Sequence, residues 1–172
     1  IMVHATMKKT ALLAAALILA GAPGAAEAAC TKSRLPDGKP RFELKAGEAT
    51  DRTTGLVWSR CSLGTTWTSG KCDGERADVD HGEATAAAKS PWRLPTAREL
   101  SALIDQDCDR PAIDTAVFPD VTASTDEGAE EFWTSTPGGI NEMMVVIDLA
   151  DGYGDIRSPG FKRSARMVRP AR

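Results

Sequence analysis

An export signal followed by four cysteines is the feature that most constrains what this 172-residue chain can fold into. The signal has a basic start at Met7–Lys9, an apolar run over Ala11–Ala20, and the small-residue cleavage motif Ala26–Ala28. We predict cleavage before Ala29, with residues 1–6 forming an extension upstream of the natural-looking start. Because exported chains fold where disulfides persist, the sequence predicts a cross-linked protein that is periplasmic or extracellular.

The apolar run of the signal is too short to anchor the chain in a membrane. It supplies about half of the roughly 20 residues that a spanning helix needs, and Gly21 and Pro23 follow it closely. No second apolar span occurs in the sequence, so we predict no membrane span. Residues 29–172 are predicted to form a single domain, because their number is close to the commonest domain size.

The cysteines allow three pairings into two disulfides. Cys61 and Cys72 flank a polar, turn-rich stretch that can close on itself, so we favour a Cys61–Cys72 bridge with Cys30–Cys108 left over. A zinc site is disfavoured, because zinc ligands usually come as close pairs such as Cys-x-x-Cys, and no two cysteines here lie that near. The sequence therefore predicts a disulfide-stabilised domain.

Hydrophobic patterning predicts an α+β chain without βαβ repetition. The clearest signal is a capping box over Thr96–Glu99, followed by Leu100, Leu103 and Ile104 at helical spacing, which predicts a helix that ends near Asp105. The other predicted elements are a helix over 75–89, strands over 41–44, 56–58, 131–135, 143–149 and 165–169 (the 143–149 strand fully buried), a turn over 151–154, and a long acidic loop over 105–131.

Charge and histidine content exclude several function classes. The net charge is −3, which disfavours the basic kind of nucleic-acid-binding protein. His81 is the one histidine beyond the signal, so most routes to acid–base chemistry near neutral pH are absent. We therefore expect neither an enzyme nor a cofactor.

Two acidic clusters have some features of metal sites but are interpreted as solvated surface. Asp105–Asp109 alternates carboxylates as a calcium loop does, but Arg110 and Ala116 stand where an EF-hand needs glycine and glutamate. Helical spacing would spread Asp78–Glu83 around an axis instead of placing its acidic residues on one face. We expect no metal site.

Two aromatic residues are candidate ligand-binding residues. Trp67 lies among threonines inside the predicted disulfide loop, and Tyr153 lies in the predicted turn. Each could present a ring to a sugar face or a protein partner, and packing against the domain's own surface is the alternative for both. Three other tryptophans lie next to apolar or strand residues and are predicted to be structural: Trp58, Trp92 and Trp133.

Four basic residues near the C-terminus are the other candidates for ligand binding. Arg157, Lys162, Arg163 and Arg166 are opposite in sign to the acidic stretch over 105–131. One interpretation is a patch that binds a sulfated or acidic polysaccharide. The other is a set of internal salt bridges.

Motifs spread over residues 50–169 occur in the order found in one known family: Thr54–Trp58, Arg60–Gly64, Trp92–Thr96, Pro111–Asp114, Phe118–Pro119, Phe132–Ser135 and Val168–Arg169. Together they resemble the DUF1566 family, the domain at the C-terminus of the Legionella collagen-like adhesin. The resemblance implies a C-type-lectin-like α+β fold with two helices and short antiparallel sheets. It also implies a role in adhesion, with a polysaccharide or glycosaminoglycan-like ligand.

A second, more distant similarity gives a fold but no activity. Arg93–Thr96 is similar to a segment of the formylglycine-generating enzyme, which relies on reactive cysteines late in its chain. No cysteine follows Cys108 here, so that activity is not carried over. Our hypothesis is an exported, non-enzymatic module that binds carbohydrate or another envelope ligand. The alternative is a cell-envelope protein-interaction or homo-oligomerisation module.

Overall fold

Three antiparallel sheets and two short helices make up the part of the chain described by the computed structural model, residues 33–171. The strands and helices, in chain order, are β1 (Phe42–Lys45), β2 (Glu48–Asp51), β3 (Leu56–Ser59), β4 (Thr66–Thr68), β5 (Lys71–Asp73), α1 (His81–Ala87), α2 (Ala97–Ser101), β6 (Glu131–Pro137), β7 (Met144–Asp148), β8 (Tyr153–Arg157) and β9 (Val168–Pro170). The predicted α+β class is confirmed.

The largest sheet has the strand order β1-β2-β3-β9, so the C-terminal strand returns to pair with the N-terminal hairpins. β4 and β5 form a separate hairpin, and β6, β7 and β8 form a meander. The β1–β2 turn is Ala46–Gly47, with Ala46 at a φ of 49°. Because β9 pairs with β3, the C-terminal segment closes the domain.

The two helices differ in how well the sequence predicts them. α2 begins where predicted, since the Thr96 side chain accepts a hydrogen bond from Glu99 N–H and Glu99 caps Thr96 in return. It ends at Ser101, one turn before the predicted end. The predicted helix over 75–89 is wrong at its start. Asp80 forms its own capping box with Glu83, and α1 begins only after it.

The strand predictions miss the polar strands. β3, β6 and β7 lie at predicted positions, whereas β2 and the β4–β5 hairpin were not predicted. Their sequences carry few large apolar side chains, so no alternating pattern marks them. β8 occupies part of the predicted turn, because it begins at Tyr153. The 143–149 segment is not fully buried, since Met144 and Val145 are partly exposed.

The predicted acidic loop over 105–131 forms no helix or strand before β6 begins at Glu131, yet it supplies much of the core. Ile113, Phe118 and Val121 are almost fully buried, and the Phe118 ring packs edge-on against Phe42 with 5.6 Å between centroids. A second, smaller cluster surrounds Trp133. The loop is therefore a packed part of the domain.

The Cys61–Cys72 disulfide that the spacing favoured is present and ties the segment after β3 to β5. Cys108 is also disulfide-bonded. Its predicted partner Cys30 and the predicted export signal lie outside the described residues. Within residues 33–171, no helix has the length and apolar content to cross a bilayer.

Candidate binding groove

A groove crosses the outer face of the four-stranded sheet. The strand register pairs Lys45 with Glu48, Thr50 with Val57, and Val57 with Arg169, which places these side chains on one face. The opposite face carries the buried core residues Phe42, Ala49 and Trp58. The sheet thus separates the groove from the core.

Trp92 forms one wall of the groove. Arg93 and Val168 exchange two backbone hydrogen bonds of 2.9 Å, which holds Trp92 beside β9. The Arg169 guanidinium lies 5.1 Å from the centroid of the Trp92 ring, and Arg169 Nη2 donates to Glu48 Oε2 at 2.7 Å. This cation–π contact and ion pair fix the orientation of the ring relative to the sheet.

The groove consists of two adjoining cavities that share Glu48 and Trp92, with volumes of about 530 and about 400 Å³. Each lies within the roughly 300–1,000 Å³ that is typical of ligand sites. The larger cavity is also lined by Lys45, Thr50, Val57, Pro91, Arg169 and Ala171, and the smaller by Gly47, Ser59, Ala87, Lys89 and Met167.

The lining combines one aromatic ring with hydrogen-bonding groups of both kinds. Glu48 and Thr50 can accept hydrogen bonds, and Lys45 and Lys89 can donate them. No group of three or more His, Cys, Asp or Glu side chains is arranged to hold a metal ion in residues 33–171. The groove is therefore suited to a polar ligand with an apolar face.

Trp67, a predicted ligand-binding residue, packs against its own domain. The Arg60 guanidinium lies 3.8 Å from the Trp67 ring centroid and is held by the carbonyl oxygens of Ala46 and Val117, both at 3.0 Å. A Cβ at Gly47 would lie 2.8 Å from the Trp67 Cβ, so glycine is needed there. These contacts cover one face of the ring, which matches the packing alternative.

Tyr153 and His81 lie away from the groove. Tyr153 is about half exposed on β8, in the three-stranded sheet. His81 Nε2 lies 2.9 Å from the Thr134 carbonyl oxygen, and its ring packs edge-on against Trp133. The structure therefore does not bring the two predicted aromatic candidates, Trp67 and Tyr153, together in one site.

The structure places each of the four basic candidates in an ion pair within the domain. Arg166 is fully buried. Arg157 and Arg163 both bind the carboxylate of the buried Glu131. Lys162 pairs with two exposed carboxylates near the start of α1. The charges of all four side chains therefore face carboxylates within residues 33–171.

The groove was missed because Trp92 was predicted to be structural. The sequence did contain a signal for a different role. Trp58 follows two aliphatic residues and Trp133 follows a phenylalanine, whereas Trp92 stands between Pro91 and Arg93. Trp58 and Trp133 are accordingly buried, and Trp92 is only partly buried.

Two carboxylates, the buried Asp51 and the largely buried Asp120, make the stability of the fold sensitive to acid. Burial raises the pKa of Asp120 and of Asp51, but the Arg166 charge acting on Asp120 and the Arg41 hydrogen bond to Asp51 outweigh it, so both pKa values lie below the usual aspartate range. A lowered folded-state pKa stabilises the protein at pH above the unfolded value of about 3.9. That stabilisation is lost as the pH falls through the folded-state pKa.

We therefore expect the urea midpoint of unfolding to fall steeply below about pH 4. Equilibrium unfolding between about pH 6 and pH 3, followed by tryptophan fluorescence, measures it. An Asp51→Asn variant should be less stable at pH 6 and should lose less stability on acidification. Parallel pH profiles of the two proteins would contradict the assignment of Asp51.

The fold and the groove define a disulfide-bonded α+β domain with an open, ligand-sized sheet face. Residues 47–172 match the family model of the Lcl C-terminal domain, and the chain belongs to that family. Membership places it among adhesin-related domains of extracellular or surface proteins. No match was found among curated proteins or solved structures. The C-type-lectin-like architecture and the similarity to the formylglycine-generating enzyme thus stay predictions.

Proposed function

We propose that this chain is an exported, non-enzymatic module that binds carbohydrate in adhesion, and that the Trp92 groove is its binding site. The observation that carries the proposal is the partly exposed Trp92 ring, held by Arg169 above the outer face of the sheet. Family membership supports a role in adhesion. It does not name the ligand, so the ligand class is argued from the groove.

A sugar ring matches the chemistry of the groove. One face of a pyranose carries C–H groups that can lie on the Trp92 indole, and its hydroxyl groups both donate and accept hydrogen bonds. Glu48 Oε2 is engaged by Arg169, which leaves its second oxygen to accept from a hydroxyl. Thr50 adds a hydroxyl partner on the neighbouring part of β2.

The free cations of the groove favour an acidic sugar. Lys45 makes no ion pair among residues 33–171, and Lys89 donates to the Ala86 carbonyl oxygen at 2.9 Å. Both ammonium groups are therefore available to a carboxylate or sulfate of a polysaccharide. Arg169 is committed to Glu48. In this proposal, Lys45 and Lys89 supply the positive charge that one interpretation of the sequence placed at Arg157, Lys162, Arg163 and Arg166.

A glycan array probed with the oxidised domain, with and without a chelator, tests the proposal. We expect saturable binding to acidic polysaccharides that weakens in high salt and persists in the chelator. Trp92→Ala should weaken binding of the best glycan by at least about tenfold, as measured by calorimetry. Tyr153→Ala, which changes an exposed aromatic residue on the other sheet, is the matched control and should bind like the wild type.

Two results would contradict the proposal. The absence of any saturable glycan would reject carbohydrate as the ligand class. Equal losses in the Trp92→Ala and Tyr153→Ala variants would reject the groove as the site. Loss of binding in the chelator would show that a metal ion takes part.

The alternative, a protein-interaction or oligomerisation module, draws on a different surface. The outer edge of β1 is exposed at Leu44, which is 46% accessible. This edge lies beside the groove but does not use Trp92. It can be tested without any glycan.

A further inference from the structure

The outer edge of β1 has unpaired backbone groups. Arg52 N–H donates to Arg41 carbonyl oxygen at 3.0 Å, so residue 41 is a hydrogen-bonded position of the β1–β2 ladder. Antiparallel ladders alternate, which makes residues 43 and 45 hydrogen-bonded positions as well. The N–H and C=O groups of Phe42 and Leu44 therefore point away from β2.

Nothing in residues 33–171 pairs with the outward backbone groups of Leu44. The edge strand of the three-stranded sheet is different. Its Ile156 N–H is bound by the Asp155 carboxylate at 2.7 Å, and its Ile156 C=O by Arg157 at 3.1 Å. Side chains thus occupy part of the β8 edge, whereas β1 is open and carries an exposed leucine.

We propose that β1 is a self-association edge, and that a second copy of this chain pairs with it in antiparallel fashion about a two-fold axis. The two four-stranded sheets would then form one eight-stranded sheet, with Leu44 opposite Leu44 of the second copy. This pairing satisfies the outward backbone groups of Leu44 and covers the exposed leucine side chain. It does not rest on the proposed carbohydrate function, although both proposals use Lys45.

Charge and ladder parity select this register. Only residues with outward backbone groups can form the hydrogen-bonded pairs of the new ladder. An axis at Phe42 would pair Leu44 with Pro40, which has no N–H, and an axis at Lys45 would pair it with the turn residue Ala46. The two-fold axis can therefore lie at Leu44 or at Glu43. An axis at Glu43 would place the Glu43 carboxylates of the two copies opposite each other, and like charges in that position are destabilising. An axis at Leu44 places Glu43 of each copy opposite Lys45 of the other, in the non-hydrogen-bonded pairs where side chains come closest.

The groups needed for these pairs are available. Lys45 makes no ion pair in the described part of the chain. Glu43 makes one, a 3.5 Å contact with Arg52 in which both side chains are well exposed, and such a pair contributes little. The strand is short, so the dimer should be weak and concentration-dependent. A two-fold axis normal to the sheet also places both Trp92 grooves on the same side of the dimer.

Charge reversal on the purified mature protein, without any ligand, tests the register. Glu43→Lys places Lys opposite Lys45, and Lys45→Glu places Glu opposite Glu43. Each single variant should weaken the dimer by at least about tenfold in sedimentation velocity over a concentration series. The double variant E43K/K45E restores opposite charges and should dimerise like the wild type. An equal mixture of the two single variants should also dimerise.

Three outcomes would overturn the proposal. A wild-type chain that stays monomeric up to millimolar concentration would show that β1 does not pair with a second copy. Single variants that dimerise as well as the wild type, or a double variant that stays weakened, would reject the Glu43–Lys45 register. The near-UV circular dichroism of each variant provides the folding control, because both positions are on the exposed outer face. Failure here would leave the glycan experiment unaffected.

Discussion

An Asp120→Ala variant is expected to lose about 3 to 5 kcal/mol of unfolding free energy. Asp120 binds Arg166 Nη2 at 2.6 Å and accepts the Ser62 backbone N–H at 2.6 Å. Arg166 is fully buried, and its guanidinium lies 4.9 Å and 5.5 Å from the ring centroids of Phe118 and Phe132. Removing the carboxylate therefore leaves an uncompensated charge inside the core. Urea unfolding followed by tryptophan fluorescence measures the loss.

Two further variants separate this effect from a simple loss of contacts. The double variant D120A/R166M removes the orphaned charge as well and should be more stable than Asp120→Ala alone. Lys162→Ala removes an exposed cation from two exposed carboxylates and should change stability by less than about 1 kcal/mol. A loss in Asp120→Ala no larger than that in Lys162→Ala would show that Arg166 is compensated in another way.

The pairs that matter here join distant parts of the chain, and this limits what the sequence could predict. Asp120 and Arg166 are 46 residues apart, and Arg163 lies 32 residues from Glu131. Local patterns show that the C-terminal segment is basic and the 105–131 stretch acidic. They do not show which charges meet in the core. The sequence therefore left a surface patch and a set of internal salt bridges open for the basic residues, and only the folded chain shows which carboxylates they meet.

The sequence predicted a helix start well where the hydrogen bonds that fix it join residues close in the chain. The Thr96–Glu99 capping box places the start of α2, because both hydrogen bonds lie within one turn. Asp80 and Glu83 form the same kind of box, but Asp80 lay inside a run of helix formers, and the prediction followed the run. Helix propensity is weak compared with a cap and with the Val79–Arg163 bridge that keeps the preceding residues extended.

The buried residues of the acidic loop had no periodic signal. Ile113, Phe118 and Val121 belong to no helix or strand, so neither helical nor alternating spacing relates them.

The groove could not be predicted from the sequence for a related reason. It is assembled from β1, β2, β3, β9 and Trp92, and only the sheet register brings Glu48 and Arg169 together.

Trp133→Ala should mainly reduce the stability of the fold, whereas Trp92→Ala should mainly reduce glycan binding. This contrast tests whether Trp133 belongs to the core and Trp92 to the groove. Trp133 is fully buried beside β7, and its Nε1 donates to Val79 carbonyl oxygen at 2.8 Å. The Val79 backbone also bridges to Arg163, so the ring supports the packing of the C-terminal segment. Trp133→Ala leaves a large cavity and removes one of the two hydrogen bonds to the Val79 carbonyl oxygen, and we expect a loss of about 3 to 5 kcal/mol.

Trp92→Ala should cost much less stability, about 1 to 2 kcal/mol, because the ring is partly exposed and its main contact is a cation–π pair with Arg169. Urea unfolding of both variants measures the difference, and calorimetry with the best glycan measures binding. A Trp133→Ala protein that is still folded in mild conditions should keep its groove, since Trp133 lines neither cavity. If Trp92→Ala proved as destabilising as Trp133→Ala, the indole would be a core residue, and its loss of glycan binding would reflect unfolding.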